Sequence, residues 1–359
     1  MLTYIVIAAI KSLVLIHILL GAVAYTVWLE RKVVGRMQNR WGPTRVGPFG
    51  LLQPIADGVK FILKEDLTPP HVYKPLFILA PLLSVVLALT SIAVIPLGGQ
   101  LPLGRWSTGL QVTAAPNGTS DINIALLILL GVTSIAVYGI ALAGWSSNNK
   151  YSLLGSLRAS AQMISYELSL GLSLVGVLLL AGSLSLRDIV TAQARPYEFK
   201  HFLWLPHWFP HWYIFPQLIG FFIYLVSAYA ETNRIPFDLP EAETELVAGY
   251  HTEYSAMKFA MFFMAEYANM FTVACVATLL FFGGWSGPIP GFLPPLAKAL
   301  MPLFWFALKV LVFIFVYILV RGTLPRFRYD QLMAFGWKFL LPLAIANLVI
   351  TSLIVAVLS

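Results

Sequence analysis

Charged residues are scarce in this sequence. Of its 359 residues only 11% are charged, whereas 59% are apolar and the mean hydropathy is +0.81. A soluble domain carries about 25% charged residues, so the composition excludes a soluble enzyme and predicts a polytopic membrane protein. No stretch outside the apolar runs reaches the ~50 residues that a separate domain needs. We therefore expect one transmembrane domain over residues 1–359.

Cysteine is nearly absent as well. Because Cys275 is the only one, this chain alone can form neither a disulfide nor an iron–sulfur cluster. The sequence also lacks the glycine-rich loops that bind nucleotide phosphates and the motif of a serine nucleophile. We therefore expect no cofactor or metal on this chain and no catalytic residue in it. The net charge of +7 does not indicate nucleic-acid binding, because basic residues in membrane proteins fix topology.

Long apolar runs are abundant. Each is about 20 residues or more, which is enough to cross the hydrocarbon core of a bilayer. They lie near residues 2–29, 76–98, 122–144, 158–182, 212–231, 255–283, 299–320 and 334–356. The first run has no basic segment before it and no small-residue cleavage site at its end, so we expect it to remain as a span. The sequence thus predicts an all-α protein with eight transmembrane helices.

Lysine and arginine are distributed unequally between the loops. The loops after the odd-numbered spans, with their flanks, hold sixteen of them; the opposite side holds six, and Lys309 lies inside span seven. Since cytoplasmic loops carry the excess of basic residues, the odd-numbered loops are predicted to face the cytoplasm. Both termini then lie on the other side, which is the periplasm if the membrane is a bacterial inner membrane.

The first cytoplasmic loop contains a shorter amphipathic segment. In GPFGLLQPIADGVKFILKED, apolar residues recur at helical spacing from Leu51 to Ile62, while Asp57, Lys60 and Lys64 occupy other faces. This pattern predicts a short helix that lies on the membrane surface.

The same loop carries a basic cluster that begins where span one ends. Two Gly-Pro pairs, at 42–43 and 47–48, indicate a shaped turn and not a flexible basic arm. Such a cluster can fix topology, bind anionic lipid or dock a partner. Its members are Arg31, Lys32, Arg36, Arg40 and Arg45.

Two carboxylates lie deep within predicted spans. Glu167 is nine residues into the fourth span and Glu266 about eleven residues into the sixth. A charge at the bilayer centre costs about 2.5–3.5 kcal/mol on insertion scales, which makes such a residue a candidate for function. The alternative is a structural glutamate hydrogen-bonded to a neighbouring tyrosine, serine or arginine. Glu231 and Glu253, at the ends of spans five and six, extend the series towards the membrane edge, as a proton relay requires.

The fifth loop is densely acidic. Residues 231–253 contain six of the chain's sixteen acidic residues and a single arginine. Asp238 can cap a helix that has a proline in its first turn, and Glu241 completes a capping-box pattern. Glu243 and Glu245 are not needed for such a cap. Local structure therefore accounts for only part of the acidity of this loop, and a cap is compatible with a functional role.

Four loop regions together carry a family resemblance, in order and across nearly the whole chain. They read ERKVVGRMQNRWGPTRVGPFGLLQPIADGVKFILKED, GWSSNNKYSLLGSLRASAQMISYEL, AETNRIPFDLPEAETELVAGYHTEYSAMKFAMFFMAEYANM and PRFRYDQLMAFGWK. These stretches resemble the signature loops of the quinone-pocket membrane subunit of respiratory complex I, the proton-pumping NADH:quinone oxidoreductase. The family they indicate is that of the H-type subunits, also known as subunit 1.

The resemblance implies an eight-helix bundle that forms the membrane part of a quinone tunnel and begins an acidic path coupling quinone chemistry to proton pumping. It implies a non-redox subunit that is not catalytic alone, with quinone as substrate and with flavin and iron–sulfur clusters in partner subunits. The implied partners are the lipid bilayer and the other membrane and peripheral-arm subunits.

The resemblance also implies roles for individual residues. At or near the tunnel and its loop it places Arg31, Arg36, Arg40, Asp57, Arg234, Asp238, Glu241, Glu243 and Glu245. On the acidic path it places Glu167, Glu231, Glu253 and Glu266. An aromatic, histidine-rich insertion near residues 197–213 departs from the family pattern and lies on the far side from the tunnel.

Two other functions remain open on the sequence. A homologous membrane subunit of an energy-converting hydrogenase or a ferredoxin-linked complex has the same fold with a different redox partner. An autonomous ion carrier uses Glu167 and Glu266 for flux through the chain alone. The soluble subunits that co-purify with the chain distinguish the first alternative, and flux through the purified chain in liposomes distinguishes the second.

Overall fold

The structure is a computed structural model that describes residues 2–98, 100–103, 106–109, 122–194, 211–238, 247–292 and 294–358. Its helices, numbered in chain order, are α1 (Leu2–Met37), α2 (Gln53–Leu63), α3 (Lys74–Ala93), α4 (Ala125–Ser146), α5 (Lys150–Ala181), α6 (Leu186–Gln193), α7 (Leu218–Glu231), α8 (Ala256–Phe281), α9 (Pro295–Thr323), α10 (Tyr329–Phe335) and α11 (Leu341–Leu358). A π-helical turn, Gly336–Leu340, joins α10 to α11. Strands β1 (Gln100–Leu103) and β2 (Trp106–Gly109) form an antiparallel hairpin between α3 and α4. The predicted all-α membrane class is confirmed, with this hairpin as a small addition.

The predicted spans correspond to eight helical segments. Within the described ranges, seven helices are long and apolar enough to cross a membrane. The fifth predicted span is shorter than expected, because α7 has only 14 residues and turns occupy residues 213–217. Pro216, which cannot donate a backbone hydrogen bond, lies just before this late start.

Two membrane helices extend beyond their apolar runs. α1 continues past its predicted end near residue 29 to Met37, so the first three members of the basic cluster lie on the helix and not in a turn. α5 begins at Lys150 and not near residue 158, because Asn149 caps it and accepts a hydrogen bond from the backbone N–H of Tyr151 at 3.0 Å. Hydropathy falls at the first charged residues, but arginine, lysine and glutamate are good helix formers, so the helices continue.

The amphipathic segment of the first loop is the helix α2. Its apolar side chains point outward, with Ile55 59% and Ile62 70% exposed. On another face, Asp57 pairs with Arg31 of α1, with 2.8 Å between the carboxylate and the guanidinium. The predicted helix is therefore confirmed, and its outward apolar side is what a helix at a membrane surface needs.

α8 lies at the centre of the bundle. Every residue from Met270 to Phe281 is buried. The hydroxyl of Tyr224 in α7 donates to the backbone carbonyl of Val273 at 2.8 Å, and Ser91 of α3 shares a hydrogen bond of 3.1 Å with Thr272. The neighbouring spans therefore pack around α8 and fix the position of the carboxylate that it carries.

The loops that follow the odd-numbered spans meet on one side of the bundle. Side-chain contacts join them: Lys258 with Asp66 (3.0 Å), Asn149 with Glu253 (2.7 Å) and Arg326 with Asp238 (3.3 Å). On the opposite side, the backbone N–H of Gly283 donates to Gln193 at 2.9 Å. The odd-numbered and even-numbered loops therefore lie on opposite sides of the bundle, as eight successive spans predict.

Lys309 lies within α9, at a position for which the sequence predicts no role. Its ammonium group donates to three backbone carbonyls just after α8, those of Phe282, Gly284 and Ser286, each at 2.8 Å. The end of a helix leaves carbonyls without intrahelical donors, and a cation also suits the negative end of the helix dipole. This lysine therefore fastens α9 to the C-terminal end of α8.

Replacement of this cation tests its structural role. We expect Lys309→Met to lower the free energy of unfolding by about 1.5–3 kcal/mol, the usual contribution of hydrogen bonds from a charged donor. The buried thiol of Cys275 reports unfolding: mass spectrometry of maleimide-treated purified protein should show its labelling at a lower temperature than in wild type. Lys298→Met, which changes an exposed lysine of the same helix, is the matched control. Equal labelling temperatures for the two variants would contradict the assignment.

Candidate functional site

Four charged side chains from different parts of the chain meet inside the bundle. Glu30 comes from the last two turns of α1, Arg234 from the segment after α7, Glu266 from α8 and Arg321 from the last turn of α9. Their side chains are 10%, 8%, 11% and 36% exposed, respectively. We call these four residues the buried charge cluster. It brings together two residues that the resemblance singled out, Arg234 and Glu266, with two that it did not.

Arg234 is the centre of the buried charge cluster. Its Nε lies 2.7 Å from a carboxylate oxygen of Glu266, and its Nη1 lies 3.9 Å from Oε2 of Glu30. Arg321 forms an ion pair with the other oxygen of Glu30. The hydroxyl of Tyr267 donates to Oε2 of Glu30 at 2.8 Å, and its ring lies 4.0 Å from the guanidinium carbon of Arg234. Two positive and two negative charges balance, which burial in a membrane bundle requires.

Glu231 and Glu266 share a small cavity. The cavity has a volume of about 30 Å³ and is lined by both carboxylates and by polar residues such as Asn233 and Asn269. A cavity of that size has room for a water molecule, which needs polar partners of this kind. Glu231 also lines a second cavity of about 20 Å³, between α4, α5 and α8. The end of α7 therefore lies between a polar cavity and a second cavity that is lined mainly by leucine and valine side chains.

Glu167 lies on the other side of Glu231. It is the eighteenth residue of α5, deeper in its helix than expected because α5 begins early. The hydroxyl of Ser134 in α4 donates to its carboxylate, and the charges of Glu167 and Glu231 lie close enough to interact. Three of the four carboxylates of the predicted acidic path thus form a series: Glu266, Glu231 and Glu167.

Glu253 belongs to a different cluster. Its carboxylate accepts a hydrogen bond from the side chain of Asn149 at 2.7 Å and lies 3.9 Å from Nε2 of His71. The adjacent Tyr254 stacks on Phe77, with 4.1 Å between ring centroids. Glu253 is therefore held where the first, third and fifth loops meet, at the loop side of the bundle.

The basic residues of the first loop make short-range contacts. Besides the pair of Arg31 with Asp57, the guanidinium of Arg36 lies 4.3 Å from the ring centroid of Trp41. Arg40 donates to a neighbouring glutamine side chain at 2.8 Å. Since half of the Arg31 side chain remains exposed, the C-terminal end of α1 presents positive charge at the surface beside the buried charge cluster.

The fifth loop is anchored at the two ends of its described part. The side-chain amide of Gln162 in α5 donates to the backbone carbonyls of Ala230 and Phe237, at 2.9 and 2.8 Å. Asp238 pairs with Arg326 of the seventh loop at 3.3 Å. The predicted cap formed with Pro240 and Glu241 lies outside the described residues, as do Glu243 and Glu245. Asp238 and Arg234 therefore lie on a segment whose backbone is held from both sides.

Comparisons with known proteins identify the family of this chain. The model of one protein family, described as NADH dehydrogenase, matches residues 10–352. The chain belongs to the NADH dehydrogenase family. Among relatives, a protein from Koribacter versatilis that is named as an H-type subunit of NADH-quinone oxidoreductase is 70% identical, over 98% of both chains. The H-type subunit of NADH-quinone oxidoreductase from Thermomicrobium roseum is 51% identical, over 97% of this chain and 96% of the relative.

Sequence reasoning missed Glu30 of this NADH dehydrogenase family member, although a signal was present. Leu19, Val23, Thr26 and Glu30 recur at a spacing of three or four residues, and all four lie on one buried face of α1. An acid on a buried stripe needs a cation. The pairing of Arg321 with Glu30 could not be predicted from the sequence, because the sequence does not reveal that α1 and α9 are in contact.

Removal of the central cation tests the buried charge cluster. Arg234→Met leaves two buried carboxylates with one arginine, and loss of one partner of a buried pair costs about 3–5 kcal/mol. We expect less of the protein in membranes and a lower thermal stability, with Arg234→Lys intermediate because it keeps the charge. Immunoblots of membranes and thermal scans of the purified protein measure both. Arg328→Met, at an arginine with 77% side-chain exposure, is the control; an equally mild effect in both variants would contradict the role of Arg234.

Proposed function

We propose that this chain is a membrane subunit of a proton-translocating NADH:quinone oxidoreductase. The observation that carries the proposal is the match of nearly the whole chain to relatives named as H-type subunits of NADH-quinone oxidoreductase, together with a membrane bundle in which two arginines pair with two glutamates. The chain supplies no redox group in this proposal. Flavin and iron–sulfur clusters belong to partner subunits, and NADH oxidation takes place there.

In this proposal the chain forms the membrane part of a quinone tunnel. Three features support it: the outward apolar side of α2, the exposed positive charge of Arg31, Arg36 and Arg40, and the buried charge cluster, whose Glu30 directly precedes Arg31. A hydrophobic tail that enters from lipid meets the apolar side of α2 first. The polar head group then meets the cationic loop, where Asp57, Asp238 and the acidic residues 241–245 lie at or near the tunnel.

Coupling begins with the charge change that quinone reduction causes. Reduction of quinone to quinol consumes two electrons and two protons. A change of charge in the tunnel alters the proton affinities of the basic and acidic groups that surround it. Arg234 comes shortly after Ala230, whose backbone carbonyl accepts a hydrogen bond from Gln162, and it contacts Glu266. Glu266 in turn shares a cavity with Glu231. From there Glu167 continues the series into the bilayer, and Glu253 connects the loops. A disturbance at the fifth loop therefore has a route of charged contacts towards the centre of the membrane.

The same proposal fixes the orientation of the chain. The loops after the odd-numbered spans, which carry the excess of lysine and arginine, face the cytoplasm of a bacterial cell, and the termini face the periplasm. The membrane is the inner membrane. Other membrane subunits cover the lipid-exposed helices in part, and the peripheral arm docks on the cytoplasmic loops.

Neutralisation of the acidic loop tests the coupling role. We expect Glu241→Gln and Glu245→Gln each to lower quinone reduction and proton pumping by about 5-fold or more, in the range typical of coupling free energies. Assembly and electron transfer from NADH to a water-soluble acceptor should remain, because those steps do not require the loop. Assays on membranes and proteoliposomes measure all four quantities.

Glu65→Gln is the matched control, since Glu65 is an exposed acid of the first loop on the same side. Full quinone reduction and pumping in both acidic-loop variants would remove the coupling role. Purified assemblies that lack an NADH-oxidising flavin subunit and reduce no quinone would point instead to a hydrogenase or ferredoxin-linked complex.

A further inference from the structure

The contacts of the buried charge cluster are asymmetric. Arg234 contacts Glu266 closely, at 2.7 Å, but its distance of 3.9 Å to Glu30 is longer than a hydrogen bond. Glu30 has two other partners, Arg321 and the hydroxyl of Tyr267. Glu30 is therefore held in place by partners other than Arg234. It nevertheless lies close enough for the guanidinium of Arg234 to reach it.

Tyr267 spans both parts of the cluster. Its ring faces the guanidinium of Arg234 at 4.0 Å, and its hydroxyl bonds to Glu30. A guanidinium that slides across the face of an aromatic ring keeps its cation–π attraction. The shift that brings Arg234 into contact with Glu30 is only about 1 Å, given the 2.7–2.9 Å of a charge-assisted hydrogen bond.

The backbone around Arg234 is held, while its side chain lies near the carboxylates of both Glu266 and Glu30. Gln162 binds the carbonyls of Ala230 and Phe237, on either side of Arg234 in the sequence. We therefore expect the side chain of Arg234 to move while the backbone of residues 230–237 stays in place. The other charged or titratable groups facing this region are Glu231 across the cavity, Arg31 and Tyr317.

We propose that Glu30 is a positioning residue and a second acceptor for Arg234, held by Arg321 and Tyr267. Arg234 can then leave Glu266 without losing a counter-charge, which a buried guanidinium requires. Its movement towards Glu30 shifts a positive charge away from the cavity that Glu266 and Glu231 share. This inference rests on the proposed function and adds Glu30, Arg321 and Tyr267 to the coupling path.

The direct test is a structure of the complete assembly with Glu266→Gln, determined by electron cryo-microscopy beside the unmutated assembly. We expect the distance from Nη1 of Arg234 to Oε2 of Glu30 to fall from 3.9 Å to about 2.7–2.9 Å. A guanidinium that stays beside residue 266, or that leaves both acceptors, would overturn the inference. This readout does not depend on the reaction that the assembly catalyses, so it fails independently of the proposed function.

A second test separates positioning from simple packing. We expect Glu30→Gln to lower quinone turnover by about 5-fold or more per assembled complex, with an unchanged KM for quinone, and Glu30→Asp to restore most of it. Asp188→Asn, at an exposed acid on the far side of the bundle, controls for the loss of a carboxylate. Wild-type turnover in Glu30→Gln, or a failure of Glu30→Asp to improve on it, would contradict the role of Glu30.

Discussion

The side chain of Arg234 is 8% exposed inside a membrane bundle, and the arrangement around it follows from the need to keep its charge paired. Desolvation of an ion costs several kcal/mol, which a close counter-charge must offset. The counter-charges come from α1 and α8, and α9 contributes the cation that balances them. One buried charge therefore joins three spans and the start of the fifth loop.

Arg234 and several carboxylates form a line of charged groups inside the bundle. It runs from Glu30 through Arg234 to Glu266, crosses a cavity large enough for water to Glu231, and continues to Glu167 and the hydroxyl of Ser134. The surrounding spans consist of apolar side chains such as those between Met270 and Phe281 of α8. Low polarity around the line strengthens electrostatic interactions along it. A change of charge at the loop end of this line therefore affects groups further inside the bundle than it would in water.

The helical class, the eight spans and the depth of Glu167 and Glu266 follow from the sequence, because hydropathy and charge are local properties. Helix ends do not follow from hydropathy alone: α1 continues eight residues past its apolar run to Met37. Contacts between distant helices also stay hidden. The ion pair of Glu30 with Arg321 joins residues nearly three hundred positions apart. Lys309 likewise reaches the three carbonyls that it binds only in the folded structure. The contacts of Glu253 with Asn149 and His71, which come from two other loops, are likewise visible only in the structure.

Glu231 is the residue at which the coupling path can be tested most directly, because it shares a cavity with Glu266 and its charge interacts with that of Glu167. The decisive measurement is the rate of quinone reduction and the number of protons pumped per NADH oxidised, in proteoliposomes with Glu231→Gln. We expect both to fall together by about 5-fold or more, while electron transfer from NADH to a water-soluble acceptor stays at the wild-type rate. Wild-type quinone reduction with a wild-type proton yield would contradict the claim that this series of carboxylates carries the coupling.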